Sequence, residues 1–163
     1  MLIKKFFKHR YENYANKYYG TWFYWNSSVV AINLKENFEK LFAKYIKNTN
    51  EVLDLGAGRL PFRDIIKKYS PNYYSLDFKK THKDLDYIGT VSDTKLEEGR
   101  FNVIFCNQVL EHVPNPEQSV GEIYRILKPN GIVIISTPFF IELHNEPYDY
   151  FRYTKYALKM LAN

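Results

Sequence analysis

From Val29 to Ile46 the apolar positions Ile32, Leu34, Phe38, Leu41, Phe42 and Tyr45 recur at helical spacing, and Asn48-Thr49-Asn50 ends the run. Beyond that break the pattern changes. EVLDL (51–55), YYSLD (73–77), YIGTV (87–91), FNVIFCN (101–107) and IVIIS (132–136) are short apolar runs without strict alternation, as in strands buried on both faces. Helical stretches separate them. Pro61 suits the first turn of a helix through Phe62 to Lys68, which Ser70-Pro71-Asn72 ends. Pro116 opens a second, EQSVGEIYRIL (117–127), and Thr154 stands as N-cap of a last one, KYALKML (155–161). Glu98-Gly99-Arg100 and Lys128-Pro129-Asn130-Gly131 read as turns.

Strands alternating with helices predict an α/β fold: a doubly wound, mainly parallel sheet covered by helices on both faces. Such sheets bind ligands at the carboxyl ends of their strands, near the point where strand order reverses. The residues closing each strand are therefore the candidate site: Asp54 to Gly58, Asp77, the Ser92-Asp93 region, Asn107-Gln108 and Ser136-Thr137.

The loop after the first strand, LGAGRLPF, narrows the ligand. A dinucleotide fingerprint would place Gly56, Gly58 and a third glycine at 61, where Pro61 stands without an N–H. Asp54 adds negative charge where a pyrophosphate would lie. A ligand with a cationic amine and a single carboxylate fits better. Asp77 closes the second strand 19 residues after Gly58 and can accept both hydroxyls of a ribose. S-adenosylmethionine has both an amino-acid end and a ribose end.

Four stretches, EVLDLGAG, YYSLD, FNVIFCNQVLEHV and EIYRILKPNGIVIISTP, together resemble the class I S-adenosylmethionine-dependent methyltransferases over about Glu51 to Thr154. The resemblance implies a Rossmann-like fold, S-adenosylmethionine as cofactor and S-adenosylhomocysteine as product. It implies that Asp54, Gly56, Ala57 and Gly58 line the methionine end and that Asp77, with Phe78 after it, holds the ribose side. Asn107 and Gln108 fall beside the methyl group. Asp93 is the choice for the family's adenine-side acid, with Ser92 and Thr90 as alternatives. Leu60, where many members carry another glycine, and Asn102, where Asp is usual, depart from the pattern.

His112 in LEHV either caps and packs locally, contacts the cofactor, or acts as a base toward the acceptor. His144, Asp149, Arg152 and Tyr153 in HNEPYDYFRYT either form a substrate-facing cluster or a structured loop leading into the last helix. No metal is assigned. Several acceptors are disfavoured. NQVL replaces the Asn/Asp-Pro-Pro-aromatic run of adenine-N6 enzymes, Phe105 rather than proline precedes Cys106, and Glu111 stands without a paired glutamate. A small molecule or a glycan remains, with no nucleic acid expected. The alternative is a cofactor-binding or scaffolding protein without turnover; a nicotinamide-dependent oxidoreductase is disfavoured by Pro61.

Composition adds boundaries rather than identity. The 163 residues carry 45% hydrophobic and 25% charged positions, within the globular range, and a mild net charge of +5. The 15 Tyr and 12 Phe fit a codon-biased genome as well as any function. A single cysteine, Cys106, cannot form an internal disulfide, MLIKKFFKHR lacks the apolar core of a signal peptide, and IVIISTPFFI is too short to span a bilayer. These features predict a cytoplasmic domain. Residues 1–47, basic and aromatic with Trp22 and Trp25 in TWFYW, are expected to form a lid or cap, and residues 48–163 the methyltransferase core. The family's sheet ordinarily has two more strands than this chain supplies. The resemblance therefore implies a C-terminally truncated fold, whose open edge a second copy or the N-terminal segment would cover, or a fragment of a longer enzyme.

Overall fold

The computed structural model describes the backbone of residues 22–162 and the side chains of residues 33–162. The chain divides into two compact units, residues 1–44 and 45–163. In the first, helix α1 (Trp22–Tyr45) is longer than the predicted run, beginning seven residues before Val29. Phe38 and Phe42, one turn apart, are buried and stack with ring centroids 6.0 Å apart. The lid expected of the N-terminal segment falls largely on residues outside those described.

The second unit is a five-stranded parallel sheet in the order β3-β2-β1-β4-β5. Its strands are β1 (Val52–Leu55), β2 (Tyr73–Asp77), β3 (Tyr87–Ile88), β4 (Phe101–Asn107) and β5 (Leu127–Ser136). Strand order reverses between β1 and β4, which places the switch point beside Asp54 and Asn107. Alternate residues of β1 and β4 serve opposite faces. Leu53, Leu55, Ile104 and Cys106 join Ile123 and Ile126 of helix α3 (Pro116–Ile126) in one buried cluster. On the other face Phe105 meets the Phe62 ring edge-on at 5.0 Å, just ahead of the short helix α2 (Arg63–Ile66). Helices thus cover both faces, as the continuous apolar strands predict. A fully buried aromatic such as Phe105 contributes about 3–5 kcal/mol against truncation to alanine.

Three elements differ from the sequence pattern. Pro61 lies in the turn before α2 rather than in its first turn, and the helix is a single turn long. The third strand stops at Ile88, because Thr90 turns back to bridge Asp93 in antiparallel sense. Lys128-Pro129-Asn130-Gly131 does not separate helix from strand but lies within β5. Leu127 pairs with Phe101 and Ile132 with Val103, so the excess residues bulge outward, with Asn130 in the left-handed region at φ 61°. Asn115 caps α3 by accepting from the Gln118 N–H, with Pro116 at the helix start as predicted. Thr154 likewise caps helix α4 (Lys155–Leu161) by accepting from the Ala157 N–H. β5 is the edge of the sheet, and among the described residues no strand pairs with its outer side. No helix among them is long and apolar enough to cross a membrane.

Candidate functional site

The loop after β1 is tied to the end of β2 by its own backbone. The N–H groups of Gly56 and Ala57 both donate to the Leu76 carbonyl, at 2.8 and 3.0 Å, and that of Gly58 donates to Asp77 Oδ2 at 2.7 Å. A pyrophosphate-binding loop leaves such groups for its ligand. Here all three are engaged, which agrees with the arguments from the charge of Asp54 and the missing N–H of Pro61. Gly56 and Gly58 are both left-handed, at φ 77° and 53°, but their surroundings differ. A Cβ on Gly56 would fall 2.4 Å from Val109 Cγ2, whereas one on Gly58 would meet nothing within 4 Å. Gly56 is required by packing; Gly58 borders open space. Leu60 adopts φ 60° and is buried, so the conformation a glycine would favour survives without one. That conformation costs about 1–2 kcal/mol, which burying the leucine offsets with about 1.5–3 kcal/mol.

Two carboxylates stand on either side of this loop. Asp77 is buried, and its second oxygen, Oδ1, has no hydrogen-bond partner. A buried carboxylate oxygen left without a donor costs about 1–3 kcal/mol or more, and a ligand hydroxyl would supply the donor. Asp54 is buried on β1 and accepts from the Tyr73 hydroxyl at 2.8 Å. Burial raises its pKa from 3.8 to about 7; the Tyr73 hydrogen bond opposes the rise and the charge of Asp77 adds to it. A carboxyl held this close to neutrality is stabilised as the anion by an approaching cation.

At the end of β4, Ser136 donates to Asn107 Oδ1 at 2.6 Å, and Gln108 Nε2 donates to the Ser136 hydroxyl at 3.0 Å. Gln108 sits at φ 56°, a sparsely populated conformation of the kind retained near binding sites. Phe78 is 65% exposed, with the Lys79 ammonium 4.9 Å from its ring centre, so an aromatic face stands at the surface next to Asp77. Asp93 faces solvent and pairs with Lys95 at 2.6 Å, and the Thr90 and Ser92 hydroxyls lie 3.3 Å apart in the same turn. The structure does not bring Asp93 into the buried set with Asp54 and Asp77. Cys106 is fully buried, and burial together with the carboxylates of Glu111 and Asp54 pushes its thiol pKa up, as expected of inert packing.

A second polar cluster joins the 3-10 turn Leu110–His112 to the loop after β5. Tyr150 and Phe151 donate their N–H groups to the Glu111 carbonyl, at 2.8 and 3.3 Å, and the Tyr153 hydroxyl donates to the Leu110 carbonyl at 3.3 Å. Burial, then the nearby Glu111, pushes the Tyr153 pKa up to about 12, so it remains a donor. Arg152 grips Asp149 with two bonds of 2.6 and 2.7 Å, and also donates to the Ile141 and Glu142 carbonyls. That pairing holds the Asp149 carboxyl well below the usual range. Asp149 Oδ2 further accepts from the His144 N–H at 2.8 Å and lies 3.2 Å from His144 Nδ1. The rings of His112 and His144 meet edge to face at 4.8 Å. Of the candidates at this end, His112, His144, Asp149 and Arg152 therefore converge, while Tyr153 serves as a buried strut.

Sequence reasoning passed over two groups. Tyr73 reaches Asp54 because both lie on the same face of adjacent strands, a relation visible only once the register pairs Val52 with Tyr73. Glu111 is fully buried, with neither carboxylate oxygen hydrogen-bonded, and lies 3.8 Å from His112 Nε2. Burial raises its pKa, against the pull of His112 and Arg152. A glutamate between Leu110 and His112, with Val113 next, carries a signal of burial, but only weakly.

A family profile described as a methyltransferase domain matches residues 30–159. A ubiquinone biosynthesis O-methyltransferase from Shewanella pealeana is 27% identical over 121 residues, which is 62% of this chain and 51% of that protein. The namesake from Pseudomonas aeruginosa is 29% identical over 101 residues, covering 53% and 44%. The chain thus spans about half the length of the curated relatives it matches. Among solved structures, a Pyrococcus horikoshii protein superposes with a TM-score of 0.62 at 17% identity, over 81% of this chain and 80% of that one. An S-adenosylmethionine-dependent methyltransferase from Mesorhizobium loti gives 0.54 at 16% identity, over 63% and 53%.

Proposed function

The chain belongs to the methyltransferase-domain family, and on that premise we propose that it transfers a methyl group from S-adenosylmethionine to a hydroxyl of a small molecule or glycan. The observation that carries the reading is the unpartnered Asp77 Oδ1, buried beside the open space over Gly58. Asp77 accepts the ribose hydroxyls there and so gains the donor it lacks. Asp54 faces the cationic amine, and Tyr73 fixes the carboxylate in place. The exposed Phe78 ring offers a stacking surface for the adenine, and Asn107 and Gln108 border the methyl end.

When bound, the sulfonium supplies an already activated methyl group. The protein's task is to align the acceptor in line with it and exclude water, so orientation carries most of the acceleration. On the acceptor side His112 donates through Nδ1 to the Tyr148 carbonyl at 2.6 Å, which leaves Nε2 with the lone pair that accepts the hydroxyl proton. His144 and Arg152 border the same approach. Oxygen is favoured as the acceptor atom because the curated relatives are named O-methyltransferases.

The test is a calorimetric titration of S-adenosylhomocysteine into the wild type and Asp77→Ala. Binding in the micromolar range, weakened at least about tenfold (about 1.4 kcal/mol) in the variant, is expected. A folded wild type that does not bind would overturn the assignment. Binding without turnover across an acceptor panel would favour a cofactor-binding scaffold instead.

A further inference from the structure

We propose that Glu111, His112 and His144 bind one divalent transition-metal ion of the zinc class. Each residue offers a ligand atom, and the three atoms lie within 4.8 Å of one another. Nothing in the sequence pattern assigns a metal. The proposal rests on how the three side chains are held, and it stands whether or not the chain transfers methyl groups.

Both imidazoles are prepared in the same way. Tyr148 O sits 2.6 Å from His112 Nδ1, and a carbonyl can only accept, so the proton is on Nδ1 and the lone pair on Nε2. His144 Nδ1 faces Asp149 Oδ2 at 3.2 Å and the Glu142 carbonyl at 3.4 Å, again acceptors only. Its lone pair is therefore also on Nε2. A histidine whose Nδ1–H is anchored to a carboxylate or carbonyl is the usual arrangement behind a metal-bound imidazole. Arg152 in turn clamps Asp149, so the anchor of His144 is itself fixed.

Glu111 supplies the independent observation. It is fully buried, neither oxygen has a hydrogen-bond partner, and His112 Nε2 lies 3.8 Å from Oε1, beyond hydrogen-bonding range. A buried carboxylate with a nitrogen of each imidazole within 4.8 Å has no hydrogen-bond donor to answer it, and a cation shared among the three would. Ligand atoms around a tetrahedral zinc stand about 3.3 Å apart, given bonds of about 2.0–2.2 Å. Closure therefore needs only side-chain rotation, and the 26% exposed His144 is freest to provide it. Two nitrogens and one oxygen suit Zn²⁺, Co²⁺, Ni²⁺ or Fe²⁺; Mg²⁺ and Ca²⁺ prefer oxygen-only sets. Three protein ligands leave a position for an exchangeable oxygen. With the ion bound, His112 is a ligand rather than a free base, and a coordinated acceptor hydroxyl would release its proton to solvent.

Chelator-stripped protein titrated with Co²⁺ should develop the visible absorption of a nitrogen- and oxygen-ligated ion, saturating at one equivalent. Calorimetry should give the same stoichiometry for Zn²⁺ and no heat for Mg²⁺. His144→Ala and Glu111→Gln should each weaken Co²⁺ binding beyond the about 10–100-fold expected of the outer change Asp149→Asn. Circular dichroism checks that each variant is folded. If Glu111→Gln does not fold, His144→Ala, on the more exposed ligand, decides alone. A folded wild type without cobalt absorption, or His144→Ala binding as well as wild type, would overturn the proposal.

Discussion

The two halves of the candidate site are held by different mixes of backbone and side-chain contacts. Around Asp54 and Asp77 the geometry comes from backbone: three consecutive N–H groups dock on the end of β2, and parallel register sets the two strand ends side by side. Around Glu111 and Asp149 side chains carry most of it: two imidazoles and a tyrosine hydroxyl join the backbone bonds from Tyr150 and Phe151 in linking a 3-10 turn to a loop more than thirty residues later, and a guanidinium fork braces that loop. A backbone-built half tolerates most side-chain changes but few backbone ones. A side-chain-built half depends on single residues, and can therefore be re-specified one substitution at a time.

The comparison is broken most forcefully at Arg152. Its partner Asp149 has a side chain only 1% exposed, so Arg152→Ala leaves a buried carboxylate without its main counter-charge. A loss of about 3–5 kcal/mol is expected, on the order of a 10 °C fall in Tm by calorimetry. A fall below about 1 kcal/mol would mean that the loop does not depend on this pair.

The backbone-built half is probed by its glycines. Gly56→Ala meets Val109 at 2.4 Å and also forces a left-handed alanine, so about 2–4 kcal/mol should be lost in urea unfolding. Gly58→Ala meets nothing within 4 Å and should lose only the backbone share, about 1 kcal/mol. Equal losses at the two positions would refute the assignment of distinct roles.

The last test reads a slope rather than a single loss. The Asp54 carboxyl keeps its proton up to about pH 7 in the folded chain, whereas in the unfolded chain it loses it near 3.8. Its contribution to stability is therefore full below pH 3.8, declines as pH rises between those values, and is flat above about 7. A ligand amine favours the ionised form, so affinity for S-adenosylhomocysteine should rise with pH up to about 7. Asp54→Asn should flatten that rise; an unchanged slope would separate Asp54 from the amine.

The same contrast explains what was legible in the sequence. β1, β2 and β4 match the apolar runs because strands buried on both faces carry their environment in their composition. The loop motif was legible because backbone-built geometry needs glycines at fixed offsets. Lys128-Pro129-Asn130-Gly131 does contain a left-handed residue, but the pairing of Leu127 with Phe101 outweighs the turn and converts it into a bulge within β5. YIGTV was overextended because Gly89 packs where a Cβ would lie 2.9 Å from the Thr94 carbonyl, and the chain turns there instead. The side-chain-built half was named through His112, His144, Asp149 and Arg152, but its centre, Glu111, was missed. Its burial depends on a loop contributed by a distant segment, and no local period encodes that.

Cys106, the chain's one thiol, is fully buried near the end of β4, and it feels the carboxylates of both halves, Glu111 and Asp54. Reagents that need a thiolate can reach it only when the end of β4 opens, so the rate of its modification times those openings. A single sulfur atom thus gives the molecule a chemical clock there. Any ligand that closes either half should slow it, and the two halves can be read separately by which ligand does so.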